Sequence, residues 1–96
     1  MYDYTGWIVR ADAGRDKGGL FCVVGVDQEQ ERLLLADGKR RRSVRPKAKK
    51  LGHVTCLTDA QHRFEHPAIQ KLTQGEVLTD RELRRTLAAF RDQMEV

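Results

Sequence analysis

Eight cationic side chains stand within the twelve residues from Lys39 to Lys50, and no carboxylate accompanies them. They are Lys39, Arg40, Arg41, Arg42, Arg45, Lys47, Lys49 and Lys50. The rest of the chain holds ten basic against fourteen acidic residues, so the formal net charge of +4 is a local feature on an acidic body. A single-sign field of this density opposes folding through self-repulsion and attracts polyanions. Guanidinium groups meet phosphate oxygens in bidentate pairs, and lysines act as point charges. The chemistry available to these residues is phosphate binding with strong salt dependence. From charge alone, a solvated basic loop that only aids solubility is the competing reading. Lys39–Arg42 also matches a nuclear-localisation run, a reading disfavoured because the run falls in an expected strand.

Other candidate chemistry is sparse. His53, Cys56, His62 and His66 superficially offer four zinc-type ligands, but with a single cysteine and no Cys-x-x-Cys knuckle no metal site is expected. Cys56 beside His53 suggests a thiol nucleophile, yet Val54 and Leu57 make a structural cysteine the better reading. Ser43 is the only serine and sits among arginines. No nucleophile elbow or phosphate-loop pattern occurs, so no enzymatic activity and no cofactor are expected. The six aromatics, Tyr2, Tyr4, Trp7, Phe21, Phe64 and Phe90, all lie outside the basic run. For a nucleic acid, recognition of shape and backbone therefore fits better than stacking on bases, with Tyr2 and Tyr4 expected mainly to cover a sheet edge.

The elements that must position these residues read as mainly β with α. Thr5–Ala11 alternates as a strand, with Trp7, Val9 and Ala11 on one face. A turn-rich segment, 12–19, leads to Leu20–Val26, apolar on both faces and expected to be buried on both. Arg32–Ala36 forms a third strand, closed by Asp37-Gly38, a hairpin signal. The pattern predicts a short fourth strand over about Arg40–Val44, with Arg41, Ser43 and Arg45 on the wet face. Arg40 and Arg42 then share the face of Val44, near the strand's open start. Pro46 ends that strand, and Pro46–Gly52 is expected to be an irregular basic loop. His53–Leu57 supplies a fifth strand able to close a small barrel. Beyond it, Pro67–Thr73 suits a short helix with Ile69 and Leu72 inward and Gly75 at its exit. Thr79-Asp80-Arg81-Glu82 is a capping box. Leu83, Leu87, Phe90 and Met94 follow at spacings of four, three and four, one apolar face of a helix packed over the sheet.

The segment Ala13-Gly14-Arg15-Asp16-Lys17-Gly18, set between two apolar strands, resembles the KOW motif of ribosomal proteins and transcription elongation factors. Val9 and Ala11 match its first strand, Gly14, Lys17 and Gly18 its turn, and Phe21, Val23 and Val26 its second strand. With Asp37-Gly38-Lys39, the basic run, Pro46-Lys47-Ala48-Lys49-Lys50 and His53, the order over Gly6–His53 is similar to small bacterial RNA-binding proteins related to an archaeal and eukaryotic type of large-subunit ribosomal protein. The segment Thr58–Gly75 is less characteristic. The resemblance implies a small five-stranded SH3-like barrel with a C-terminal amphipathic helix, and binding to structured ribosomal RNA.

At ninety-six residues the chain is one structural domain, with the barrel over 1–58 and a helical extension over 59–96 packed on it. Two isolated cysteines, no visible signal peptide and no apolar run long enough to span a bilayer suit a cytoplasmic protein without membrane contact. The expected function is non-catalytic RNA binding, ribosomal or ribosome-associated. Arg40, Arg41, Arg42, Arg45, Lys47, Lys49 and Lys50 are the expected phosphate contacts, with Lys39 in the same run and Arg15 and Lys17 projecting from the first loop. The alternative is a protein–protein interaction module of the transcription or translation machinery, contacting ribosomal or transcription proteins. A further rival, an enzyme acting on nucleic acid, has no nominated catalytic pair.

Overall fold

The computed structural model describes residues 1–94. Five antiparallel strands form one sheet: β1 (Ile8–Ala11), β2 (Leu20–Asp27), β3 (Arg32–Ala36), β4 (Lys47–Lys49) and β5 (Val54–Cys56). Their spatial order is β4-β3-β2-β1-β5, so the sheet is open, with β4 and β5 as its edges. A single 3-10 turn, Leu51–His53, joins those two edge strands. Two helices complete the fold, α1 (Pro67–Thr73) and α2 (Asp80–Met94). No helix among the described residues is long and apolar enough to cross a membrane.

Alternation along the strands builds two cores. Val9, Ala11, Phe21, Val23, Leu33 and Leu35 pack together on one face, under Trp7, Tyr4 and Val54. Ile8, Cys22 and Ala36 point the other way, into a cluster with Phe64, Ile69, Leu72, Leu78, Leu83, Leu87 and Phe90. The apolar character of β2 on both sides is thus used in full. A register shift between Val23 and Gly25 reverses the strand's phase, so Val26 rejoins the face of Val23 although it lies an odd three positions further on. Such a bulge bends the strand and tightens its twist.

The helices begin and end for identifiable reasons. Nδ1 of His66 accepts the amide of Ala68, and Pro67 opens α1 where no intrahelical donor is needed. Gly75, at φ +86°, carries the chain out of α1. The capping box forms as expected: Glu82 Oε1 accepts from the Thr79 amide at 3.0 Å, and Thr79 Oγ1 accepts from the Glu82 amide at 3.1 Å. Lys71 Nζ meets Glu82 Oε2 at 2.6 Å and ties the two helices. Leu83, Leu87 and Phe90 are buried; Met94, expected on the same face, is 54% exposed. Cys22 is buried and Cys56 half-buried, both as free thiols, and burial, with the Asp37 charge nearby, pushes the Cys22 thiol up to about 12.

Two expectations are corrected. Strand β1 starts at Ile8, because the chain turns at Thr5-Gly6 with Gly6 at φ +93°. The fourth strand is not Arg40–Val44 but Lys47–Lys49, paired with Leu33–Leu35. Asp37-Gly38 therefore opens a long loop instead of a tight hairpin. Oδ1 of Asp37 accepts the amides of Lys39 (2.9 Å) and Arg41 (2.8 Å), which curls the chain away from pairing.

Gly38 sits at φ +76° against the start of α2, where an added Cβ would lie 2.1 Å from the Asp80 carbonyl oxygen. Gly18 has a similar φ, +87°, but open space around it. Gly38→Ala is expected to lower unfolding stability by at least about 2 kcal/mol, and Gly18→Ala by about 1 kcal/mol, the strain of a left-handed backbone alone. Urea denaturation of the two variants checks the difference.

Candidate nucleic-acid interface

Two loops and one edge strand bring the cations together. The first is the loop Asp12–Gly19, closed by the Gly18 amide on the Ala11 carbonyl (2.8 Å) and the Gly19 amide on the Asp16 carbonyl (2.9 Å). Gly14 and Gly18, at φ +79° and +87°, supply the two left-handed steps this closure needs. The turn sends Arg15 and Lys17 outward and Asp16 inward, leaving Asp16 only 3% exposed.

The second is the loop Asp37–Pro46. The Ser43 amide donates to Oδ1 of Asp80 (2.8 Å), and Nη1 of Arg84 donates to the Gly38 carbonyl (2.7 Å). The Arg45 amide reaches the Arg42 carbonyl at 3.0 Å and closes a tight turn. So the segment is pinned from both sides without being a strand. Lys39, Arg40, Arg42 and Arg45 are all exposed on it. Val44, expected to face the core, is 80% exposed at the tip of that turn.

Asp16 joins the two loops. Its Oδ2 accepts from Arg41 Nη2 at 2.9 Å and from Nε at 3.1 Å. Pairing of Asp16 with Arg15 or Lys17, its neighbours in sequence, gives way to this longer-range contact. Burial alone would push the Asp16 carboxyl up; the hydrogen bonds and charge of Arg41, with the charges of Lys49 and Arg40, outweigh it and hold the group below the usual carboxylate value. Lys49, 9% exposed on β4, donates from Nζ to the Ala13 carbonyl at 2.7 Å. Arg41 and Lys49 thus have their first partners inside the chain. They build the surface more than they project from it.

Between the first loop and β4 lies a shallow cleft of about 470 Å³. Arg15, Arg32, Arg41, Lys47, Lys49, Lys50 and His53 line it, with Asp16 as the one carboxylate among the lining residues. Nε of Arg32 is buried without a hydrogen-bond partner among the described residues. Arg32 stands outside the basic run, so charge density along the chain could not flag it. Pairing of β3 with β4 is what brings it beside Lys47 and Lys49. The expected division of the run is also inverted: Lys39–Arg45 is a pinned loop, and Lys47–Lys49 is the strand.

The histidine–cysteine constellation does not assemble. His66 caps α1 and stacks on Phe64, while His62 turns to Asp59 at 3.2 Å. His53 lies in the cationic cleft. Among the described residues, no group of three or more potential ligands is placed to hold a metal ion.

No protein-family model matches this chain, and no curated protein sequence matches it. The site's chemistry therefore rests on its own geometry: exposed cations on a fixed loop, beside a cleft whose only carboxylate already has a guanidinium partner. Such a surface offers an anion several simultaneous contacts.

Because the folded pKa of Asp16 is depressed, its contribution is present above the unfolded value near 4 and is lost as the pH falls through the folded value. Asp16→Asn is expected to cost about 2 kcal/mol at neutral pH, the scale of hydrogen bonds to a charged group. The gap from wild type should narrow at pH 3. Chemical denaturation of both proteins at the two pH values measures it.

Proposed function

We propose that this chain is a non-catalytic RNA-binding protein of KOW type that docks on structured RNA, ribosomal RNA above all. The single observation that carries the reading is the convergence of the first loop and the basic run on one face, joined by Asp16 and Arg41. In sequence these segments are separated by two strands. In space the Asp16–Arg41 pair holds them together, and Arg15, Lys17, Lys39, Arg40, Arg42, Arg45, Lys47 and Lys50 are all exposed.

Two features of the fold support the KOW reading. The loop Gly14–Gly18 has left-handed glycines at both ends, as the motif's turn requires. The order β4-β3-β2-β1-β5, with one 3-10 turn linking the edge strands and an inner core on one face, suits an SH3-like barrel that has not fully closed. Its two free thiols suit a reducing, cytoplasmic setting.

The phosphate contacts divide by role. Arg40, Arg42 and Arg45 project from a pinned loop, so little conformational freedom is lost when they meet a backbone. Lys47 and Lys50 flank the cleft as point charges. Arg41 and Lys49 hold the platform in shape. A duplex or compact RNA fold offers phosphates at fixed spacing, which a rigid surface can match.

Replacing Arg40, Arg42 and Arg45 together by alanine, with Arg41 kept, is expected to weaken binding to a structured ribosomal RNA fragment. The slope of log K against log salt should fall in magnitude by roughly 0.7–0.9 for each phosphate that the variant no longer neutralises. Titration at several salt concentrations reads it, and an unchanged slope in a folded variant would count against this loop as the contact surface.

A further inference from the structure

Two of the large apolar side chains left exposed line one groove, none of whose lining residues belongs to the cationic cleft. Tyr2 (51% exposed) and Val77 (80% exposed) line it, and Val44 lies between Ser43 and Pro46, which line it too. The groove measures about 690 Å³ and runs between the N-terminal segment, β2 and β3, and the α1–α2 connection. Exposed apolar groups scattered singly need no explanation, but a cluster beside a concave surface marks a binding site.

Its chemistry differs from that of the cleft. Val24, Leu34, Leu72 and Leu78 supply apolar lining, while Asp3, Glu76 and Arg63 stand among the polar lining groups. Two carboxylates against one guanidinium disfavour a phosphate here. Apolar walls with hydrogen-bonding groups among them suit a flat heterocycle with polar edges, and the carboxylates suit an amino group on it. The ring of Tyr2 is braced by Tyr4, edge-on at 5.0 Å, and by Trp7 at 5.7 Å.

What would sit here follows from the neighbouring loop. The turn Arg42–Arg45 sets two exposed arginines on either side of Val44, and its Ser43 amide is fixed to Asp80. A ligand in the groove therefore passes a rigid cationic segment. Nucleic acid carries a negative backbone and detachable heterocycles in one molecule, whereas an apolar protein segment gains nothing from those arginines. Unpaired RNA bases are commonly splayed out and stacked on aromatic side chains.

We propose that this groove receives one unpaired nucleobase bearing an amino group, from the same RNA whose phosphates the basic loop holds. The inference rests on the RNA-binding reading above and adds to it a preference for a bulge or an unpaired loop nucleotide. Tyr2 stacks on the base, Val77 shields it from water, and Asp3 or Glu76 accepts from its amino group.

The test uses the full chain and two hairpin RNAs that differ only by one bulged 2-aminopurine. The bulged RNA is expected to bind about tenfold more tightly, the scale of one base–aromatic stack, and its fluorescence should change on binding. Tyr2→Ala and Val77→Ser, both at exposed positions and checked for fold by circular dichroism, should each bring the ratio of the two affinities close to one. Equal affinities in the wild-type protein, with salt-dependent binding intact, would overturn the base seat and leave the phosphate surface standing. Loss of salt-dependent binding to both RNAs would overturn the RNA reading itself. Should the bulge have no effect while Val77→Ser dissolves a dimer seen by sedimentation, the groove belongs to a second copy of this chain instead.

Discussion

Strand β2 is apolar on both faces, and a sheet of five short strands cannot bury it on both sides unaided. That constraint organises the molecule. One face is covered by the sheet's own curvature, which the Val23–Gly25 bulge increases, together with Trp7 and Tyr4. The other is covered by α1 and α2 with Phe64 between them. Small domains bury a low fraction of their surface, so the helices are part of the core and not an appendage. Their position has a second effect. The start of α2 abuts Gly38, and Asp80 and Arg84 bond the loop that carries the arginines.

The ion pair of Asp16 and Arg41 shows how one residue of a basic cluster differs from its neighbours. In sequence Arg41 is the middle of three identical residues. In space it alone meets a buried carboxylate, and its side chain is 31% exposed. A buried charge without a partner is far more costly than a missing surface pair. Arg41 therefore answers first to Asp16, and Arg40 and Arg42 remain available to solvent. The same logic separates Lys49, which donates to the Ala13 carbonyl, from Lys47 and Lys50 on either side of it.

Much of this was legible in the residues. Apolar runs located β2 and β3 within a residue, and Pro67, Gly75 and the Thr79–Glu82 box located both helices. Apolar patterning and capping are local signals, which is why they read well. The fourth strand failed because its signal was the Asp37-Gly38 turn, and the residues after it, Arg40–Val44, carry almost no apolar pattern to bury. The decisive bonds there come from Asp37, Asp80 and Arg84, the last two separated from the loop by some forty residues. The cationic surface was readable as composition but not as geometry. Neither Arg32 nor the inward turn of Lys49 has any signature along the chain. Both follow from which strands become neighbours.

One junction has a consequence in time as well as in space. The loop Asp37–Pro46 leaves a ribosome well before Asp80 and Arg84, which hold it, have been made. Chains are synthesised from the N-terminus, and a domain folds as a unit. Until α2 docks against Gly38, the arginines belong to a strip that lacks its bonds to Asp80 and Arg84. Docking of α2 turns that strip into a fixed loop. The joint between Gly38 and Asp80 thus sets an order: the charges are made first, and α2 gives them a defined shape afterwards.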